Sequence, residues 1–454
     1  MNSYTTASTF TQDRDGGHLD LATALGVTPA GPVQNPFFFS GFVDRPDIAA
    51  AGLLAVADIA ASRYADAGLA ARLASLDPVV TAGGDRLRFE SFSACNSVYA
   101  RFDLTREGLG SGDVGFGTTN IDINLPLRTA LARINRSEAL HLSVGSEGLR
   151  ASSLSQTHVE RRVSLPDRWI RGLAEVSTLS ATLTPATSLS GQAITRFLGG
   201  LPRVAPPGPT LHLLPRGNSV QTSRLPIPGT FALPGTTRLR GCDRIARHAS
   251  ELTVHTGRLG STAWVFTVPG GRFTVLLSPD PFRGFSGEGT LLTLLTNPDA
   301  ARLGGRLLTA LGWTPTVDPS ALATATNCSP AEVAAGLAWL AASGRLGHDL
   351  AENSYFHREL PVDSEKVLRR NPRLVAARKL VDDGGVVEQA GGWLVSSSYG
   401  RWYAVADAQP LHCQCEWERE HAGTRGPCKH LLAVMILRAS GIDGRPPVAS
   451  AGQP

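Results

Sequence analysis

Three cysteines and one histidine in the C-terminal part of the 454-residue chain have the types and spacing of metal ligands. Residues 411–432 read LHCQCEWEREHAGTRGPCKHLL, with one residue inside each ligand pair and twelve between the pairs. The four candidates are Cys413, Cys415, Cys428 and His430. Thiolate and imidazole groups are the ligands of tetrahedral structural zinc. The set predicts a closed zinc site with no position left for a catalytic water.

The elements around these ligands must bring the two pairs together. Alternation along a strand would place Cys413 and Cys415 on one face, and an apolar helix over residues 431–437 follows the second pair. Two nearby histidines are alternative fourth ligands, although His412 points to the opposite strand face and His421 lies in a charged loop. Buried thiols without a metal are the other interpretation. Clustering in a long chain favours the metal, because disulfide frameworks are typical of short secreted chains.

The pattern CxC, a spacer and CxH resembles the SWIM zinc finger, and the four candidates match it position by position. The resemblance covers about residues 386–439, and it includes a strand pair over residues 393–406. It implies a finger at residues 386–440, made of a strand pair and a helix, that binds zinc and contacts DNA or protein. Bacterial members of the family occur beside MoxR-type AAA ATPases and von Willebrand A proteins, so the resemblance implies partners of those classes.

A basic cluster precedes the predicted finger. Its members are Lys366, Arg369, Arg370, Arg373, Arg378 and Lys379. One interpretation is a surface that contacts phosphates. The other is a solvated helical linker that is interrupted at Pro372, with Asn371 as the cap of its second part. Residues 311–454 hold 14 basic and 15 acidic side chains, and this near-neutral balance favours protein over nucleic acid as the partner.

Residues 315–361 have the outline of a winged helix. Ser329 and Glu332 predict a capping box at the start of its second helix, and apolar residues then recur on one helical face. Residues 345–360 would form the wing hairpin. The helix over residues 329–343 carries no Arg, Lys, Asn or Gln, which are the side chains that contact bases in the DNA major groove. The segment therefore predicts a winged fold that does not recognise bases.

Residues 41–310 predict a strand-rich α+β region with a helix over residues 47–65. A proline-rich stretch predicts a boundary between sub-domains near residues 205–233. Strand pairs are predicted at residues 86–104, 140–151 and 263–278. The expected fold class of the whole chain is therefore α+β, with a winged-helix-like module and a small zinc finger after the strand-rich region.

The segment 120–166 resembles a sliding-clamp domain in its order of a strand, a helix and further strands. An unrelated α+β domain explains the same pattern and is the preferred interpretation. Residues 1–40 are polar and proline-containing, so partial disorder is expected there, and residues 441–454 are expected to form a flexible tail.

The composition limits the classes of function. A formal charge of +4 and a pI near 8.8 are only mildly basic, so they do not by themselves indicate nucleic acid. The chain has no run of eighteen apolar residues, so no membrane span is expected. Residues 1–11 lack the basic residue and apolar core of a secretory signal, which makes the cytoplasm the expected location.

No group of residues has the spacing of a catalytic site. His248, His255 and Cys95 are expected to be structural, and residues 283–289 (RGFSGEG) lack the lysine of a phosphate-binding loop. The scattered carboxylates are Asp103, Asp122 and Glu160. We therefore expect no catalysis by the chain itself, and the alternative is an enzyme whose active site lies in residues 80–310 and is targeted by the finger.

Overall fold

The chain folds into two compact units, each built from discontinuous stretches of sequence. Unit 1 comprises Met1–Phe285, Trp313–Val317 and Gly344–Val362, and unit 2 comprises the stretches between and after them. The computed structural model describes residues 7–14, 16–64, 77–121, 123–145, 165, 167–204, 210–280, 284–285, 289–360, 367–397, 400–421 and 424–441.

Unit 1 is rich in strands, as the sequence predicts. Its described strands are β1 (Thr9–Gln12), β2 (Gly17–Leu21), β3 (Gly26–Thr28), β4 (Gly31–Val33), β5 (Phe39–Phe42), β6 (Val79–Gly83), β7 (Arg86–Phe92), β8 (Val98–Thr105), β9 (Phe116–Asn120), β10 (Leu140–Val144), β11 (Thr184–Ser190), β12 (Leu211–Pro215), β13 (Val220–Ser223), β14 (Phe231–Leu233), β15 (Glu251–Thr256), β16 (Thr262–Val268), β17 (Gly271–Leu277), β18 (Leu346–Asp349) and β19 (Ser354–His357). Its described helices are α1 (Pro46–Ala61), α2 (Leu125–Leu131), α3 (Asp167–Ser180), α4 (Gln192–Gly200) and α5 (Asp243–Ala246).

A ten-stranded antiparallel sheet dominates unit 1, with the strand order β11-β15-β16-β17-β8-β7-β6-β9-β3-β4. A four-stranded sheet has the order β1-β2-β10-β5, in which β10 pairs with β2 in parallel. Strands β13, β12 and β14 form a small sheet, and β18 pairs with β19 as a hairpin. The N-terminal residues, for which partial disorder is predicted, thus contribute four strands to two sheets.

Helix α1 forms the centre of the main core of unit 1. The helix packs on β7 and β8, and nearly all of its side chains are buried. Gly52 permits this close approach, because a Cβ atom there would lie 2.5 Å from the Phe102 ring. Pro46 at the first position starts the helix, which ends at Ala61, before the predicted end at residue 65.

The hairpin predicted at residues 86–104 is present as β7 and β8, but the prediction that it is half-buried is wrong. Both of its faces are buried along nearly the whole length of both strands. Helix α1 covers one face of the hairpin. On the other face, Phe92 and Tyr99 belong to a second apolar core that includes Trp169 of α3. Helix α3 also contacts β18 of the short hairpin. An alternating pattern indicates which residues share a face, but it does not show whether a distant segment covers that face.

Several other predicted elements are present within one or a few residues. The strand pair at residues 263–278 is β16 and β17, and Gly270 has a φ of +71° in the turn between them. The first strand of the pair predicted at residues 140–151 is β10, while residues 146–151 lie outside the described ranges. Strand β10 pairs with β2 and β5, which are distant in sequence.

Unit 2 combines helices with a small antiparallel sheet. Its described helices are α6 (Thr290–Leu294), α7 (Ala300–Leu311), α8 (Pro319–Thr326), α9 (Pro330–Ala342), α10 (Pro372–Asp382), α11 (Glu416–His421) and α12 (Lys429–Ser440). Its described strands, in sheet order, are β20 (Val386–Gln389), β21 (Gly392–Ser396), β22 (Trp402–Ala406) and β23 (His412–Cys413). None of the helices in these ranges has the length and hydropathy that a membrane span requires.

The second helix of the predicted winged-helix segment begins as expected. The Ser329 side chain accepts from the Glu332 backbone N–H, and the Glu332 carboxylate accepts from the Ser329 backbone N–H, which completes the capping box. Helices α8 and α9 belong to unit 2, whereas the β18–β19 hairpin belongs to unit 1. The capping box is thus confirmed, and the assignment of residues 315–361 as a winged helix stays a prediction.

Candidate metal centre

The two ligand pairs lie at the junctions between the small sheet and two helices of unit 2. Strand β23 ends at Cys413, which pairs with Val405 of β22. Cys415 immediately precedes α11, Cys428 is the N-cap of α12, and His430 lies in the first turn of α12. The expectation that both Cys413 and Cys415 lie on a strand is therefore wrong for Cys415, because the chain turns into α11 directly after β23.

The four side chains converge as a metal site requires. Their ligand atoms all lie within 4.8 Å of one another, and Cys413 Sγ is 3.8 Å from His430 Nδ1. Bonds of about 2.3 Å to sulfur and 2.0–2.1 Å to nitrogen would separate tetrahedral ligand atoms by roughly 3.6–3.8 Å. All four residues are buried, with 1% to 4% of their surface exposed. The four residues therefore fit a metal ion, and their soft donors match zinc or another thiophilic ion.

Helix N-termini support two of the thiols. The backbone N–H of Leu431 donates to Cys428 Sγ at 3.3 Å. The backbone N–H of Glu418 also donates to the Cys415 sulfur. These N–H groups would otherwise lack partners at the starts of α12 and α11, and they carry the positive end of the helix dipole. Each N–H contact lowers the pKa of the sulfur that accepts it. Cys428 nevertheless keeps a raised pKa, because its hydrogen bonds with Cys413 and Cys415 outweigh the contact from Leu431.

The thiols share protons, and this separates their pKa values. Hydrogen bonds from the Cys413 and Cys428 thiols hold the pKa of Cys415 far below its usual range. The hydrogen bond with Cys415 is also the main cause that raises the pKa of Cys413 to about 12. The geometry therefore keeps a thiolate at Cys415, which is the form of cysteine that binds metals.

The imidazole of His430 faces the candidate cysteine ligands. Its Nδ1 atom lies 3.8 Å from Cys413 Sγ, and the ring lies 4.9 Å from the Tyr403 ring. The alternative ligands lie elsewhere. His412 is exposed, and the ring of His421 packs edge-on against Trp417 at 4.6 Å. Neither belongs to the metal-binding group, so the structure selects His430 among the three histidines.

The structure also contains supporting contacts that the sequence does not predict. The indole Nε1 of Trp417 donates to the carbonyl of Gly426 at 3.1 Å, and the guanidinium carbon of Arg425 lies 5.1 Å from the indole ring. An open cavity of about 370 Å³ borders Cys415, Cys428 and His430. Its other lining residues are Pro372, Arg373, Ala376, Ser397, Tyr403, Glu416, Trp417 and Lys429. Two aromatic residues in the sequence could have indicated these contacts: Trp417 in the spacer between the ligand pairs and Tyr403 in the strand before them.

Two of the described members of the basic cluster have partners within unit 2. Lys379 pairs with Asp383 at 2.8 Å, and Arg373 donates to two backbone carbonyls of the segment before Cys428. Arg369 is exposed, whereas Arg370 and Arg378 are half-buried. Lys366 lies outside the described residues. Contact with phosphates by this cluster therefore stays a prediction.

Most of the other residues considered as candidates have structural surroundings. Asp103 is fully buried and pairs with Arg101 at 2.9 Å, and Arg101 also pairs with Asp349 of β18 at 3.1 Å. Burial lowers the pKa of His255, which lies within β15. Cys95, expected on a strand, lies half-buried in the turn between β7 and β8. Asp122, Glu160 and most of the segment 283–289 lie outside the described residues.

Comparisons with known proteins do not identify a family. Neither a protein-family model nor a curated protein matches the chain. Among solved structures, the proliferating cellular nuclear antigen of Entamoeba histolytica is similar at 8% sequence identity with a TM-score of 0.34, over 53% of this chain and 98% of that chain. A likeness at this TM-score carries no argument about fold or function, so the function is inferred from the metal centre itself.

Proposed function

We propose that the protein is a zinc-binding interaction protein of the SWIM type, which mediates protein or nucleic-acid contacts and has no catalysis of its own. The observation that carries the proposal is the convergence of Cys413, Cys415, Cys428 and His430 in one buried group. The order of the ligands, CxC before CxH, is that of the SWIM finger. A sheet before the first pair and a helix after the second agree with this pattern.

Zinc is the proposed ion because the site offers three sulfurs and one nitrogen. Such a set fills the four positions of tetrahedral zinc, so no position is left for a water that could act as a nucleophile. The finger over residues 386–440 is short, and small modules of this size need metal binding to supplement their apolar core. The proposed role of the zinc is therefore to fold the interaction module.

Charge supports protein more than nucleic acid as the partner. Residues 311–454 are nearly neutral, and two members of the basic cluster, Arg373 and Lys379, already have partners within unit 2. Binding to nucleic acid depends on neutralising phosphates with free cations. The largely apolar cavity beside the metal centre would suit a side chain of a protein better than a phosphate backbone.

The wider assignments rest on the SWIM resemblance and on the sequence. We propose a cytoplasmic protein whose residues 315–361 form a winged-helix-like module. Its partners would include a MoxR-type AAA ATPase and a von Willebrand A protein. The enzyme alternative, with an active site in residues 80–310, gains little support from the buried charges of that region. Arg101 and Asp103 pair with each other, which favours a structural role.

The test measures zinc content together with DNA binding as a function of salt. We expect one zinc per chain in the purified protein, and none in the Cys413→Ser, Cys428→Ser double variant. Cys95→Ser is the matched control, because Cys95 lies outside the metal-binding group. Absence of zinc from the wild-type protein would refute the proposal. DNA affinity that falls steeply as salt rises would assign the contacts to nucleic acid, whereas zinc without DNA binding would assign them to protein.

A further inference from the structure

Arg373 connects helix α10 to the segment that carries the second ligand pair. It is the second residue of α10, and its Nη1 atom donates to the carbonyl of Arg425 at 2.8 Å and to that of Pro427 at 3.0 Å. Its guanidinium carbon lies 4.5 Å from the centre of the Trp417 ring. One side chain thus contacts three residues of the spacer between the ligand pairs, of which Pro427 directly precedes Cys428.

The contacted segment determines where the second ligand pair lies. Arg373 holds the carbonyls of Arg425 and Pro427, and Trp417 holds the carbonyl of Gly426 between them. Three successive peptide groups are therefore fixed by two side chains. The chain then enters α12 through Cys428, so the orientation of these peptide groups sets the positions of Cys428 and His430.

We propose that Arg373 is a positioning residue for the metal centre, and that it couples helix α10 to metal binding. The proposal rests on the proposed function, because it takes zinc as the ion of this site. Helix α10 packs directly against α12, whose first turn carries His430. Metal binding and the docking of α10 therefore stabilise each other, since coupling between two binding events is reciprocal.

The chemistry of arginine explains why this position belongs to the metal centre and not to a phosphate surface. A guanidinium donates from a planar group while it stacks on an aromatic ring. Arg373 does both at once, with two carbonyls and Trp417 as its partners. Lysine has a flexible stem and no planar group to stack, so it cannot reproduce both contacts.

The test compares zinc release from full-length variants to a colorimetric chelator, 4-(2-pyridylazo)resorcinol. Supporting residues around metal ligands typically contribute 10- to 100-fold in metal affinity, so we expect Arg373→Ala to release zinc about tenfold faster than the wild type. Arg373→Lys should recover only part of this loss. Lys379→Ala is the matched control, because it removes an exposed cation from the same helix. Release from Arg373→Ala within twofold of the control would overturn the proposal.

A second measurement uses the wild-type chain and does not depend on the folding of a variant. Removing zinc should expose the backbone amides of residues 374–382 to hydrogen exchange, while those of α9 stay protected. Unchanged protection of residues 374–382 would overturn the coupling. The two proposals fail differently. A wild-type chain without zinc refutes the proposed function, whereas a zinc-loaded chain that is insensitive to Arg373→Ala refutes only the role of Arg373.

Discussion

Negative charge is the main physical problem of the metal centre at the scale of residues. Three thiolates around a divalent ion would leave one net negative charge in a group whose members are buried. Uncompensated buried charge is costly. The N–H groups of Leu431 and Glu418 point at two of the sulfurs, so the starts of two helices offset part of this charge. The helices that follow Cys415 and Cys428 would therefore stabilise two of the three thiolates of a metal-bound site.

The identity of the fourth ligand can be tested with three histidine variants. Zinc fingers bind their ion with about 10–16 kcal/mol, so one ligand of four represents about 3 kcal/mol, or roughly 100-fold in affinity. We expect a loss of this size for His430→Ala in a competition titration with a chelator. His412→Ala and His421→Ala should bind zinc as the wild type does, because neither ring belongs to the metal-binding group. A large loss in either of these two would contradict the assignment.

A buried histidine in unit 1 predicts a specific dependence of stability on pH. Burial, together with the positive charge of Arg101, lowers the pKa of His348 to about 4. As the pH falls, His348 gains a proton near pH 6.5 in the unfolded chain and only near pH 4 in the folded chain. The stabilising contribution is therefore complete above about pH 6.5 and is lost as the pH falls towards 4. Once His348 is protonated in both the folded and the unfolded chain, the free energy of unfolding is lower by about 3 kcal/mol than at neutral pH.

The measurement is urea unfolding of the wild type and of His348→Gln at pH 7.5 and pH 4.5. Between pH 7.5 and pH 4.5, the free energy of unfolding of the variant should fall by about 2 kcal/mol less than that of the wild type, because glutamine does not titrate. The exposed His412→Gln serves as the control and should follow the wild type. Equal losses in all three proteins would show that His348 titrates normally in the folded chain.

The metal ligands and the buried charges of unit 1 differ in how far the sequence could predict them. Ligand types and spacing are local, so the four residues could be identified directly. Arg101 and Asp103 lie on the polar side of an alternating strand and appear solvent-facing in sequence. They are buried because their partner Asp349 comes from a hairpin about 250 positions later. No local pattern indicates such a distant partner.

At the scale of elements, strong local signals predict positions well and weak ones do not. The capping box at Ser329 and the turn at Gly270 each depend on a few adjacent residues, and both are present. Helix α11 has six residues, in a segment where the sequence predicts a loop. A helix of this length is too short to be stable alone, so packing and not propensity forms it. Its N-terminus supports Cys415, for which the sequence predicts a strand.

Two adjacent glycines in α7 give the sharpest prediction for the helices of unit 2. A Cβ atom at Gly304 would lie 2.7 Å from the Trp339 side chain of α9, whereas a Cβ at Gly305 would have no neighbour within 4 Å. Overpacking costs about 1–3 kcal/mol, so Gly304→Ala should destabilise unit 2 by that amount. Gly305→Ala should stabilise it by about 0.5–1 kcal/mol, because alanine favours a helix over glycine.

Urea unfolding of the two variants provides the comparison, since they differ by one position and by the same added methyl group. Opposite signs relative to the wild type are the expected result. Destabilisation of similar size in both variants would mean that α7 and α9 do not cross closely at Gly304.

At the scale of the whole molecule, the division into two units was harder to foresee than their contents. The α+β class and the C-terminal Cys and His group follow from composition and spacing. The ten-stranded sheet does not, because β9 pairs with β3 and β8 with β17 across long stretches of chain. Unit 2 is likewise discontinuous, since its helices α6–α9 and α10–α12 flank a hairpin that belongs to unit 1. Sequence periodicity identifies single elements, but it carries no information about which distant elements pair.

Removal of the metal should therefore affect the two units differently. All four candidate ligands lie in unit 2, so chelation should raise the open population of the segment between the ligand pairs and leave the strands of unit 1 protected. At a free zinc concentration 100 times the dissociation constant, bound zinc contributes about 2.7 kcal/mol, which corresponds to a roughly 100-fold rise in opening when it is removed.

Limited digestion with trypsin measures this difference on one chain. Arg419 and Arg425 lie between the ligand pairs, and Arg272 lies within β17 of unit 1. We expect EDTA to accelerate cleavage after Arg419 and Arg425 by one to two orders of magnitude while cleavage after Arg272 stays slow, because proteolysis follows the open population. Zinc added after EDTA should restore the original pattern. If cleavage after Arg272 rose together with cleavage after Arg419 and Arg425, the metal would stabilise the whole chain. Unchanged cleavage after Arg419 and Arg425 would mean that the segment between the ligand pairs is folded without the metal.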